Sequence, residues 1–146
     1  MPDMLDAAGL SRRVVVGIDG SAGAAEALEW AIADARRNPA ALELVTAWMF
    51  PMPLGHVFAK SSQEVHREVQ RIADQSVSYV AEVAPDIVVS TTLREAEAGP
   101  ALVELSTGAD LLVVGCRGHG GMRELLLGSV GSYCARHAHR PVVIVR

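Results

Sequence analysis

The sequence predicts a doubly wound α/β domain, with a parallel sheet covered by helices on both faces. Three observations lead there. Short β-branched runs alternate with longer stretches of helical periodicity along the whole chain. The runs VVVGI and LLVVG carry no polar alternation, which is how a strand buried on both faces looks. No internal repeat, low-complexity tract or second core interrupts the pattern, so one domain is expected over residues 13–146, behind an N-terminal extension of residues 1–12.

The elements follow in order. Arg13–Ile18 (RVVVGI) is the first strand. A helix follows, because Ala24, Leu28, Ala31, Ile32 and Ala35 recur at three- and four-residue steps and form one apolar stripe. Leu42–Trp48 is the second strand, and Phe50–Lys60, with two prolines and a glycine, is a surface loop. Ser61 and Glu64 stand at capping-box spacing and start a long helix, whose inner stripe is Val65, Val69, Ile72, Ser76, Val80 and Val83. Asp86–Leu93 is the third strand. A third helix is expected from Pro100, with Leu102, Val103 and Leu105 inward. Asp110–Gly115 is the fourth strand, Ser129–His137 the fourth helix, and Pro141–Val145 the last strand. The order βαβαβαβαβ requires right-handed crossovers, but pattern alone does not give the order of the strands in the sheet.

Composition excludes several function classes. Thirteen Lys+Arg against 17 Asp+Glu give a net charge of −4. That balance argues against a broad phosphate-neutralising surface for nucleic acid while leaving room for a local anion site. Two cysteines make no disulfide scaffold and fit a reducing, cytoplasmic compartment. No apolar run approaches the roughly 18 residues of a membrane span, and MPDMLDAAGLSRR lacks the apolar core of a signal peptide.

In an open parallel sheet, ligands bind beyond the carboxyl ends of the strands, where the winding reverses. The first strand ends Gly17-Ile18-Asp19-Gly20-Ser21, and the second ends near Ala47. The fourth runs into Gly115-Cys116-Arg117-Gly118-His119-Gly120-Gly121, with Gly128-Ser129 beyond, which is five glycines within fourteen residues. Such a loop brings its backbone close to a ligand and gathers N–H groups into a nest for an anion. Gly128-Ser129 then opens a helix whose free N–H groups and dipole favour a phosphate. Two familiar alternatives fail. There is no G-x-x-x-x-G-K-[ST], and glycines at 17, 20 and 23 do not have the G-x-G-x-x-G spacing of dinucleotide folds.

Gly115-x2-Gly118-x9-Gly128-Ser129, after an apolar strand and before a helix, resembles the ATP-binding signature of universal stress proteins. ADLLVVGCRGHGGMRELLLGSVG and HAHRPVVIVR resemble that family's C-terminal half, and VVVGIDGS its first strand and turn, so the resemblance covers about residues 13–146. It implies a five-stranded parallel sheet in the order 3-2-1-4-5, with Gly17–Asp19 facing Gly115–Gly121. It further implies that Asp19 lies near the adenosine moiety and that the backbone at Ala47 meets the adenine edge. Gly115, Arg117 and Gly118 would surround the ribose and phosphates, with Gly128, Ser129 and Val130 as the phosphate cradle. Dimerisation through Pro141–Val145 and a regulatory role with a protein partner also come with the resemblance. Cys116 stands where a serine is common, and Gly131 where a serine often follows the cradle.

Single residues carry competing readings. Asp19 can hold a ribose hydroxyl or magnesium-bound water, or cap the first helix, a task for which Ser21 is also suited. Arg117 and His119 can reach phosphate or face solvent. His137 and His139 suit a helix C-terminus and have no further cysteine or carboxylate to complete a metal site. Cys116 has a conceivable redox role beside helix ends. Trp30 and Trp48 are expected to cover the sheet. Asp19, Arg117 and His119, with no lysine near the loop, are a thin set for γ-phosphate hydrolysis. The expectation is an ATP-binding regulatory module, with magnesium carried by the nucleotide and little or no turnover. The alternatives are a slow ATPase, a contact-only regulator, and preference for AMP or a cyclic nucleotide.

Overall fold

A computed structural model of the chain describes residue 9 and residues 11–49, 61–116 and 127–146. The expected loop Phe50–Lys60 and the loop residues Arg117, Gly118 and His119 lie outside the described residues, as does most of the N-terminal extension.

The elements are β1 (Arg13–Gly17), α1 (Ala22–Arg37), β2 (Ala41–Trp48), α2 (Ser62–Val83), β3 (Val89–Glu95), α3 (Ala98–Leu105), β4 (Leu111–Gly115), α4 (Ser129–His137) and β5 (Val142–Val145). All pairings are parallel, and the sheet order is β3-β2-β1-β4-β5. The non-alternating strands are explained by two cores, one on each face. Val14, Val16, Leu42, Leu44, Leu111 and Val113 point to α1 and the C-terminal part of α2. Their neighbours Val15, Val45, Leu112 and Val114 point to α3 and α4, where they meet Leu102 and Cys134. Each such buried side chain contributes about 1.5–3 kcal/mol. The exposed Arg71–Glu68 pair on α2 is an i,i+3 surface contact, a type typically worth well under about 1 kcal/mol. Burial, not surface charge, holds this fold together.

Several strand ends shift by one or two residues from the sequence expectation, and two starts differ for a visible reason. The third strand starts at Val89 instead of Asp86, because Ile87 donates its N–H to the Ala84 carbonyl at 3.0 Å, so the residues around Pro85 and Asp86 are used in a turn. The third helix starts at Ala98 instead of Pro100. Proline sits in its first turn, where no N–H is required. Leu102 is buried there, while Val103 and Leu105 are half-buried against the same core. The α2 capping box is present in full: Ser61 Oγ accepts from Glu64 N–H at 3.2 Å, and Glu64 Oε2 accepts from Ser61 N–H at 2.8 Å. Trp30 packs against the first core, and Trp48 meets the His66 ring edge-on, with centroids 5.9 Å apart.

Thr46 on β2 is 3% exposed, and its hydroxyl has no hydrogen-bond partner among the described residues. Thr46→Val exchanges an orphaned hydroxyl for a methyl group and should raise stability by about 1 kcal/mol, read as a higher urea midpoint at unchanged slope. Cys134 is fully buried, and burial pushes its thiol up from 9.0 to about 11. The folded state therefore holds a proton that the unfolded chain releases. Stability contributed by this group is intact below about pH 9 and is lost as pH climbs towards 11. Urea midpoints of wild type and Cys134→Ala, compared at pH 8 and pH 10.5, should show the wild type losing more stability over that interval.

Candidate functional site

The cleft lies beyond the carboxyl ends of β1 and β4, where the winding of the sheet reverses. β1 leads into it through a tight turn. Gly20 has φ of 80°, a left-handed conformation that favours glycine. The turn is tied by Asp19, whose Oδ1 accepts the Ser21 N–H at 2.9 Å and also the Ser21 hydroxyl. Ser21 Oγ in turn accepts the Ala24 N–H at 3.2 Å and caps α1. The sequence left Asp19 and Ser21 as rival caps. In the structure Ser21 is the cap and Asp19 orients it, with the aspartate still lining the cleft.

Gly115 ends β4 on the other side. A Cβ at this position would stand 2.5 Å from the carbonyl oxygen of Gly23 in the first turn of α1. The glycine expected from sequence to admit a ligand thus has a packing reason of its own: strand and helix meet backbone to backbone. Gly17 faces the opposite side, where a Cβ would come within 3.1 Å of Leu102 and 3.4 Å of Val114.

The third wall is the head of α4. Gly128 is its N-cap, with φ of −68° and no side-chain hydrogen bond to the helix. Its own N–H donates to the Cys116 carbonyl at 2.7 Å, and its carbonyl accepts from Ser132 at 2.9 Å, which starts the helix. Cys116 N–H is held by Val145 at 2.8 Å. Through Cys116, the end of β4 is thus fixed to β5 and to the start of α4. Because Gly128 has no side chain, nothing caps the first N–H groups of α4 from that position, and Ser129 lies exposed beside them.

Of the residues expected from sequence, Gly17, Asp19, Ala47, Gly115 and Val130 line one cleft. Ala47 and Val130 also border an adjoining groove that includes Ser129. Gly128 positions that wall without lining the cleft. Arg117, Gly118 and His119 are outside the described residues. The sequence reading gave the third helix but missed that α3 forms a wall of the site. Ala98 borders both cavities and Leu102 lines the cleft. Glu97, the N-cap of α3, makes no side-chain hydrogen bond to its helix. The available signal was the small pair Ala98-Gly99 directly before Pro100. Asp19 is the only charged residue among the described lining, and no group of three or more His, Cys, Asp or Glu among the described residues is placed to hold a metal ion.

The universal stress protein family model matches residues 11–146. Universal stress protein Rv2623 of Mycobacterium tuberculosis is 38% identical over 140 residues, covering 90% of this chain and 46% of that protein. The chain therefore spans about half the length of the curated relatives it matches. Among solved structures, a universal stress protein in complex with cAMP is similar with a TM-score of 0.71 and 29% identity, covering 92% of this chain and 96% of that one. The universal stress protein from Archaeoglobus fulgidus in complex with dAMP has a TM-score of 0.68 at 19% identity, covering 92% and 98%, a likeness of fold alone.

The contact between Gly115 and Gly23 yields a stability test. Gly115→Ala forces a methyl group against backbone that cannot rotate away, and should cost about 1–3 kcal/mol, measured as a lower urea midpoint.

Proposed function

The chain belongs to the universal stress protein family, and on that basis we propose that it binds an adenine nucleotide, ATP, in this cleft as a nucleotide-responsive regulatory module with little or no turnover. The observation that carries the reading is the head of α4, where the N-cap Gly128 brings no capping side chain. Its first turn and the helix dipole open beside the cleft that Asp19 and Ala47 line.

In this reading the phosphates lie against Ser129 and Val130, the ribose near Asp19 and the adenine edge at the Ala47 backbone. Arg117, Gly118 and His119 add the loop side. Asp19 offers the hard oxygen that a magnesium ion entering with the nucleotide prefers, directly or through water. When bound, magnesium supplies charge neutralisation to the phosphates. Asp19 is already turned towards Ser21, whose N–H and hydroxyl it accepts, which favours retention of the nucleotide over its hydrolysis.

β5 is an edge strand of half-exposed apolar residues, which supports pairing with a second copy through Pro141–Val145. Two buried free cysteines fit a cytoplasmic setting, and no helix among the described residues is long and apolar enough to cross a membrane. A regulatory protein partner belongs to the same proposal. A second reading, a nucleoside monophosphate or cyclic nucleotide as ligand, is favoured by the relative crystallised with cAMP.

The direct test is to purify the protein without added nucleotide, denature it and chromatograph what is released. Near-stoichiometric ATP supports the reading. AMP or cAMP moves it to the second. ADP accumulating with time points to a slow ATPase, and an empty protein that also fails to bind added Mg-ATP overturns nucleotide binding altogether. Ser129→Asp sharpens the phosphate assignment. An acid in the first turn suits the helix dipole and should leave the fold intact. Two like charges a few ångströms apart near a protein surface repel by several kcal/mol. ATP affinity should fall at least about tenfold while adenosine affinity changes by less than about twofold, as measured by calorimetry.

A further inference from the structure

α3 and α4 both direct their N-termini at the nucleotide cleft, and each contributes one small apolar residue to its wall, Ala98 and Val130. Just behind that wall the two helices interlock. Gly99 is buried in the first turn of α3. A Cβ there would lie 2.8 Å from Cγ and Cδ1 of Tyr133, and 3.0 Å from its Cβ. Tyr133 stands one helical turn beyond Val130 on α4, is 36% exposed and lies against His137, with ring centroids 4.3 Å apart. The ring therefore occupies the space that any larger residue at 99 would need.

We infer that Gly99 is the positioning residue of the nucleotide site. By admitting the Tyr133 ring under α3, it sets the separation of the two helix heads and so the width between Ala98 and Val130. The inference rests on the nucleotide reading above. A glycine inside a helix is a poor helix former, so Gly99→Ala should by itself favour α3. Because Cβ of Tyr133 is fixed to its backbone and would itself lie 3.0 Å from the added methyl group, turning the ring alone does not make room, and the methyl group is accommodated by displacing α4. The wall that moves with it is the one carrying Val130 and the first N–H groups of α4. A helix-propensity effect and a spacing effect thus have opposite signs at this one position.

The experiment is a double-mutant cycle on the full chain, with Gly99→Ala, Tyr133→Ala and both together, reading ATP affinity by calorimetry and unfolding midpoints in urea. Gly99→Ala alone should weaken ATP binding about tenfold. In the Tyr133→Ala background the same change should alter affinity by less than about twofold, and there it should raise the unfolding midpoint, since only the helix propensity remains. Equal losses of affinity in both backgrounds, or a folded Gly99→Ala protein that binds ATP as wild type does, would overturn the proposal. Should Gly99→Ala alone not fold, Tyr133→Trp, which widens the seam from the other helix, takes its place with the same expected loss. If the wild type binds no nucleotide, the reading of function falls, whereas opposite stability effects in the two backgrounds still establish the interlock.

Discussion

The structure depends on one close approach. α1 crosses the face of the sheet near β4 because neither Gly115 nor Gly23 carries a side chain at the point where they meet. With α1 so close, Val14, Val16, Leu111 and Val113 reach its apolar stripe and the first core closes. The same approach brings the first turn of α1 beside the end of β4, so the Asp19–Ser21 turn and Gly115 border one cleft. Fold stability and site geometry thus share a single contact. What the contact supplies is the absence of an obstacle.

The cleft has little charge and much backbone. Its described walls are small or aliphatic, with the first turns of α3 and α4 at Ala98 and Val130 and the hydrogen-bonded Asp19 turn along its border. On the proposed reading, such a surface would hold an anion by preorganised dipoles, whose orientation is fixed by folding itself. It also fits a described lining in which Asp19 is the one charged residue. Recognition by dipoles needs glycine and small residues more than acids and bases.

Much of this was legible in the chain. The strand and helix pattern could be read because burial on two faces removes polar alternation from β1 and β4, while the one-sided helices keep their stripe. The Ser61–Glu64 box was legible because it is local, both partners lying within one turn. The start of β3 was not, since the competing turn at Ala84–Ile87 is decided by a single backbone hydrogen bond. The reason for Gly115 was hidden for a different cause: its neighbour Gly23 is 92 positions away in the chain. Ala98 shows the same limit. A residue that forms a wall only by its smallness leaves no mark in a sequence until the fold brings it to the cleft. Arg117, Gly118 and His119 are legible only as a glycine-rich motif, and their roles stay with the proposal.

The sheet order has a consequence for the birth of the protein on the ribosome. β1 is central, yet one of its partners, β4, is made only after β2, α2, β3 and α3. The link between the Arg13 N–H and Asp110 spans 97 positions. Until β4 emerges, the nascent chain can assemble β3-β2-β1 with the fully apolar edge of Val14–Val16 unpaired. An open edge of that kind is a template for the wrong strand. The 93 residues between β1 and β4 take roughly 5–20 seconds to synthesise, and for that time this edge of β1 has no partner strand. A chain truncated before β4 would keep that exposure permanently.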